Sequence, residues 1–119
     1  MPRRPPPAGL GHREVLTALL AADFPGAREL RAQVAEVSPG RPWGAESPST
    51  DLTVPSWVPA APVADGVLPA VGTVLDDSGA LVGELLVWVS DGRLSALEYA
   101  WYGDTAATRL PDPARIRVL

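Results

Sequence analysis

The sequence predicts an α+β domain: an N-terminal helical hairpin packed on an antiparallel β-meander of about four strands. Three observations predict it. Apolar residues recur at helical spacing up to about residue 37, they alternate with period two from residue 70 onward, and a proline-dense stretch between them fits neither period. The 119 residues leave room for one domain, and 46% hydrophobic with 20% charged residues is the balance of a globular chain, not of a disordered or membrane-embedded one. We therefore read residues 1–9 as a disordered Pro/Arg tail and residues 10–119 as a single domain with a Pro-rich crossing loop at 38–69.

The first helix is expected over residues 11–22. Gly11 stands at its N-cap, Glu14 lies near the positive helix end, and Leu10 and Val15 occupy staple positions. Val15, Leu16, Leu19 and Leu20 give it one apolar face. Asp23-Phe24-Pro25-Gly26 is a turn, and Pro25 suits the first position of a second helix running to Glu36, with Leu30, Val34 and Val37 on one side. Prolines at 39, 42, 48, 55, 59, 62 and 69 then preclude a long helix or a central strand, leaving one short strand at 51–54. Trp43 and Trp57 argue that this loop is not disordered throughout, because an indole gains from burial.

Strands follow at 70–76, 81–89 and 93–102, with a last one at 115–118 after Pro111-Asp112-Pro113. Asp91-Gly92 is the strongest short hairpin signal, since both central residues of a type I′ turn need positive φ. A two-residue loop there pairs Ser90 with Arg93, Val89 with Leu94 and Trp88 with Ser95, and strict alternation sets the rest. One face then carries Val82, Glu84, Leu86, Trp88, Ser95, Leu97, Tyr99 and Trp101, and the other carries Leu81, Gly83, Leu85, Val87, Val89, Leu94, Ala96, Glu98, Ala100 and Tyr102. Both faces are apolar near their middle, whereas two helices cover only one. The 38–69 loop or a partner, a foreign protein or a second copy of the chain, is expected over the other. In this register Leu86→Ala is a core truncation costing roughly 2–5 kcal/mol.

This ribbon supplies the candidate binding residues. Trp88, Tyr99 and Trp101 with Glu84 and Glu98 are placed to line an aromatic, acidic cleft, and Trp43 and Trp57 are the loop indoles that could join it. An aromatic core beneath the helices is the plainer account of the trio. Either glutamate needs an arginine or water if it is enclosed, and Arg115 and Arg117 on the last strand are the expected mates.

Catalytic and metal chemistry find little purchase. The absence of cysteine excludes disulfides, thiolate metal sites and cysteine nucleophiles, and the single histidine, His12, reads as surface decoration in the first turn of a helix. Asp76-Asp77-Ser78-Gly79 reads as a turn without the ligand series of a calcium loop, and Gly9-Leu10-Gly11 follows no strand, which excludes a phosphate loop. No cofactor and no metal are expected. The net charge of −4 argues against nucleic acid. No apolar run is long enough to cross a bilayer and no signal-peptide pattern is present, so no membrane partner and a cytoplasmic location are expected. All ten basic residues are Arg, Lys and Asn are absent, and Ile116 is the lone isoleucine, which is the bias of a GC-rich bacterial genome.

Asp23-Phe24-Pro25-Gly26 with Glu29-Leu30-Arg31-Ala32-Gln33, Trp43-Gly44 ahead of Asp51-Leu52, Asp91-Gly92-Arg93-Leu94-Ser95-Ala96-Leu97-Glu98 and Tyr102-Gly103-Asp104 together resemble a family of small, functionally uncharacterised actinobacterial proteins. The resemblance spans most of residues 12–118 and implies a folded domain without supplying an activity. Relatives can be Cys-rich after the second helix; the segment 40–47 here has none, so no metal site follows. The resulting expectation is a non-catalytic protein-interaction module of the immunity or regulatory-partner type, acting through an apolar sheet face. The alternative is a small-molecule-binding protein or minor enzyme using the aromatic and carboxylate cleft.

Overall fold

The computed structural model describes residues 10–69, 72–104 and 107–118. The Pro/Arg tail, the side chain of Leu10 and the expected strand start at 70 and 71 lie outside the described residues. The architecture is α+β, with two short helices and a seven-stranded antiparallel sheet where about four strands were expected.

Helix α1 runs Leu10–Leu19, so Gly11 lies inside its first turn and is not the cap. Val15, Leu16, Leu19 and Leu20 form a fully buried stripe, as their spacing predicts. Helix α2 is Ala27–Gln33, extended by a 3₁₀ turn, Val34–Glu36. It begins after Pro25 because Gly26 takes φ 91°, a left-handed conformation that belongs to the turn and not to a helix. The expected helical hairpin is not matched in detail, since α1 meets the 3₁₀ turn that extends α2. The strand neighbour of α1 is β7 (Ile116–Val118), and that of α2 is β6 (Arg93–Trp101). What ties them is backbone capping. Arg31 donates to the Leu20 carbonyl at the end of α1, 2.7 Å away, and Arg13 donates to the Val37 carbonyl, 3.1 Å away.

The proline-dense stretch holds three strands: β1 (Ser38–Pro42), β2 (Thr50–Thr53) and β3 (Gly66–Val67). Prolines there exclude only central strands, and β1 is an edge. With β4 (Gly72–Leu75) and β5 (Leu81–Ser90), the order is β1-β2-β6-β5-β4-β7, and β3 pairs with the far end of β5. Asp91 and Gly92 both have positive φ, 53° and 74°, as the hairpin signal requires.

The hairpin register departs from the expected one after two pairs. Ser90 faces Arg93 and Val89 faces Leu94, but Trp88 then faces Ala96, because a bulge leaves Ser95 unpaired. Every later residue of β6 changes face. Leu97, Tyr99 and Leu94 now share the inner side with Leu85, Val87 and Val89, while Glu98, Ala96 and Ala100 share the outer side with Glu84, Leu86 and Trp88. The ribbon therefore has one buried face and one half-exposed face, although both carry apolar side chains.

A single core fills the inner side. It joins the α1 stripe and Leu30 to Leu52, Val74, Leu85, Val87, Leu97, Tyr99 and Ile116. The 38–69 segment contributes Val54, Val58, Ala61 and Leu68 to this same core and closes the rim of the inner face, while its first part, around Trp43, reaches the edge of the outer one. Gln33, fully buried, fastens that rim. Its amide donates to the Gly92 and Pro59 carbonyls at 2.8 and 3.1 Å, and its oxygen accepts from the Leu94 N–H at 3.0 Å. No helix among the described residues is long and apolar enough to cross a membrane.

Candidate functional site

The outer face is built in rungs. Asp51 on β2, Ala96 on β6, Trp88 on β5 and Val67 on β3 lie side by side across four strands. Leu86 and Glu98 form the next rung, and Ala100, Glu84, Thr73 and Arg117 the one after. Leu86 and Trp88 are absent from the core, and both are half-buried.

Trp43 reaches this face from the β1–β2 connection. That connection is tightly tied, with Trp43 N–H on the Ser49 carbonyl at 3.0 Å and Ser47 N–H on the Gly44 carbonyl at 3.1 Å. Ser49 anchors it to β6, its hydroxyl accepting from the Tyr99 N–H at 2.9 Å, and the Thr50 hydroxyl donates back to the Arg41 carbonyl at 3.0 Å. The indole of Trp43 then donates to the Asp51 carboxylate at 3.0 Å. Trp88 repeats the arrangement, its indole donating to Glu98 at 3.0 Å across the bulged pair.

Between these units lies a cleft of about 560 Å³. Trp43 and Trp88 are its indole walls, and Gly40, Ser95 and Ala96 are the small residues beneath. Arg41, Asp51 and Thr53 supply its polar lining. Two indoles and one carboxylate, Asp51, with Arg41 opposite in charge, line it, and Glu98 lies on the neighbouring rung outside the lining; such a lining suits a cation or an apolar group. Neither Asp51 nor Glu98 has a histidine partner, and among the described residues no group of three or more His, Cys, Asp or Glu is arranged to hold a metal ion.

Of the residues singled out from sequence, the structure brings Trp43, Trp88 and Glu98 together. Glu84 shares their face but sits beside Tyr102, whose hydroxyl is pushed up by burial first and then by the Glu84 carboxylate. Tyr99 goes to the core, opposite Leu85 and only 8% exposed, and its burial raises its ionisation above the ordinary phenol value. Trp101, 40% exposed, pairs with Gly83 at the strand end and joins Tyr99, Leu81 and Tyr102 around a separate pocket of about 290 Å³. Trp57 is 71% exposed and belongs to neither. The expected glutamate–arginine pairs do not form either. Arg115 pairs with Asp77, and Arg117 donates to the Ala114 and Ile116 carbonyls, both 3.1 Å away. Reading from sequence missed Asp51 and Arg41, and β2 alternation, with Leu52 inward and Asp51 outward, was the signal available.

One other expectation changes. His12 is not surface decoration: it is half-buried, its Nδ1 is enclosed without a hydrogen-bond partner, and burial lowers its pKa below 6.5. Asp76 does build a turn, accepting from Ser78 N–H, Ser78 Oγ and Ala80 N–H at 2.7–2.9 Å, and these bonds, the Ser78 hydroxyl's first, hold its carboxyl below 3.8. Comparison with family models, curated proteins and solved structures finds no match for this chain.

Proposed function

We propose that the protein is a non-catalytic interaction module of the immunity or regulatory-partner type, working in the cytoplasm of an actinobacterium, and that it receives a protein partner on the outer face of its sheet. One observation carries this reading. Both helices and residues 54–68 of the crossing segment serve the inner core, while Leu86, Trp88 and Trp43 stay half-buried or exposed on a face without a helix across it among the described residues. Aromatic side chains so placed are the usual anchors of a protein interface.

The test compares the wild-type chain with Leu86→Arg, using Glu36→Lys as a control at an exposed site on the 3₁₀ turn after α2. Light scattering after size-exclusion chromatography reads self-association, and quantitative affinity capture reads a foreign partner. Leu86→Arg is expected to abolish the association with an unchanged melting curve, and Glu36→Lys to leave it intact. A monomer that retains nothing, or an association insensitive to Leu86→Arg, overturns the proposal.

A second reading, a small-molecule-binding protein or minor enzyme, is favoured by the cleft itself, whose volume lies within the range of roughly 300–1,000 Å³ of small-ligand sites. Tryptophan fluorescence across a metabolite panel separates the two. A saturable change that Trp43→Phe removes supports this reading.

A further inference from the structure

We propose that the Trp43–Trp88 cleft takes an arginine side chain of the protein partner. This rests on the outer-face reading and adds the chemistry that the face recognises. Each indole of the cleft is bonded to a carboxylate at 3.0 Å: Trp43 to Asp51, which lines the cleft, and Trp88 to Glu98, which lies on the neighbouring rung outside the lining. Each indole N–H engages a single carboxylate oxygen, and among the described residues no arginine pairs with either acid. An indole and an acceptor oxygen at its edge therefore stand next to each other in the cleft at Trp43 and Asp51, and Trp88 shares the lining with the small residues Gly40, Ser95 and Ala96.

A guanidinium fits that pairing better than an ammonium. It is planar, stacks on an indole, and turns a fork of N–H donors toward a carboxylate in the same plane. On the outer face the acids Asp51, Glu84 and Glu98 outnumber the arginines Arg41 and Arg117, while in the cleft itself Asp51 is balanced by Arg41. Arg41 lines the cleft and is the one charge that opposes a basic guest. Its removal is therefore expected to strengthen binding, which a merely apolar pocket does not predict.

The experiment uses the full chain, isotope-labelled, and follows its four indole N–H resonances, assigned by single Trp→Phe substitutions. The probes are blocked Gly-Arg-Gly, its lysine analogue, its citrulline analogue, which keeps the shape and loses the charge, and its glutamate analogue. Tetramethylammonium is added as a free organic cation. The arginine peptide is expected to move the Trp43 and Trp88 signals and leave those of Trp57 and Trp101 in place. Citrulline and glutamate peptides are expected to move none. Asp51→Asn should weaken the arginine peptide about tenfold, and Arg41→Ala should tighten it several-fold.

Equal responses to arginine and citrulline overturn the charge recognition, as does a response confined to the glutamate peptide. Tetramethylammonium binding more tightly than the arginine peptide overturns the protein source of the cation. Silence from every probe also overturns it, and the Leu86→Arg association test then decides separately whether the outer face is still an interface.

Discussion

The two faces of the β5–β6 ribbon are made from adjacent residues of the same two strands, yet they have opposite fates. Leu85, Val87 and Leu97 are wholly enclosed, while Leu86, Trp88 and Glu98, each one position away, keep contact with solvent. Composition does not separate them, since both sets contain large apolar side chains. What separates them is which side the helices occupy and, for the β6 residues, one unpaired residue, Ser95. Without that bulge Glu98 would point into the core and Leu97 away from it. A half-buried carboxylate hydrogen-bonded to an indole replaces a buried charge that would cost several kcal/mol.

The largest expected effect breaks the comparison directly. Leu85→Ala or Leu97→Ala opens a cavity beneath α1 or α2 and should cost about 2–5 kcal/mol. Leu86→Ala removes side chain from a half-exposed face and should cost about 1 kcal/mol or less. Denaturant melts of the three variants measure this. Equal losses for Leu85→Ala and Leu86→Ala would mean that something covers the outer face after all and would restore the two-sided reading.

The next effect concerns how the inner face is sealed. Gln33 joins α2, the 55–61 segment and the hairpin turn through three hydrogen bonds, at the rim to which Arg93 also donates, at 3.0 Å, through the Ser56 and Val58 carbonyls. Gln33→Leu retains the bulk but leaves the Leu94 N–H and the Pro59 carbonyl short of a partner, while the Gly92 carbonyl keeps the Ala61 N–H, and should cost about 2–3 kcal/mol. Hydrogen exchange at Leu94 should accelerate in that variant. A variant with native stability would show that the rim is held by packing alone.

Much of this architecture was legible. The α1 stripe, the Asp91-Gly92 turn and the existence of β2, β4, β5 and β6 follow from period and turn chemistry, which are local. The edge strand β1 was hidden because prolines mark an absence of central pairing, and only tertiary context shows that an edge is available. The bulge was hidden too, although its trace was present. Strict alternation from Leu94 forces Glu98 and Ala100 onto the side of Leu85, and an acid awkwardly placed in a core pattern signals that the pattern slips. The cleft depended on that slip. Trp88 and Glu98 become neighbours on one face only when Ser95 is skipped, and the register taken from alternation instead grouped Trp88 with Tyr99 and Trp101.

The smallest expected effect lies at the edge of the inner layer, in the first turns of α1. His12 ionises less readily in the folded chain than in the unfolded one, because burial disfavours the imidazolium and its Nδ1 has no acceptor. The unfolded chain therefore binds the extra proton first, and stability falls as the pH drops below 6.5 and levels off beneath the lowered native value. Asp76 acts in a separate window, its contribution being lost only as the pH falls below 3.8 toward its own depressed value. Melts between pH 5 and 7.5 isolate the histidine. Wild type should lose melting temperature toward pH 5, and His12→Gln should lose less while matching wild type at pH 7.5. An imidazole titration midpoint at or above 6.5 by NMR would place the ring in water and remove His12 from the packed layer.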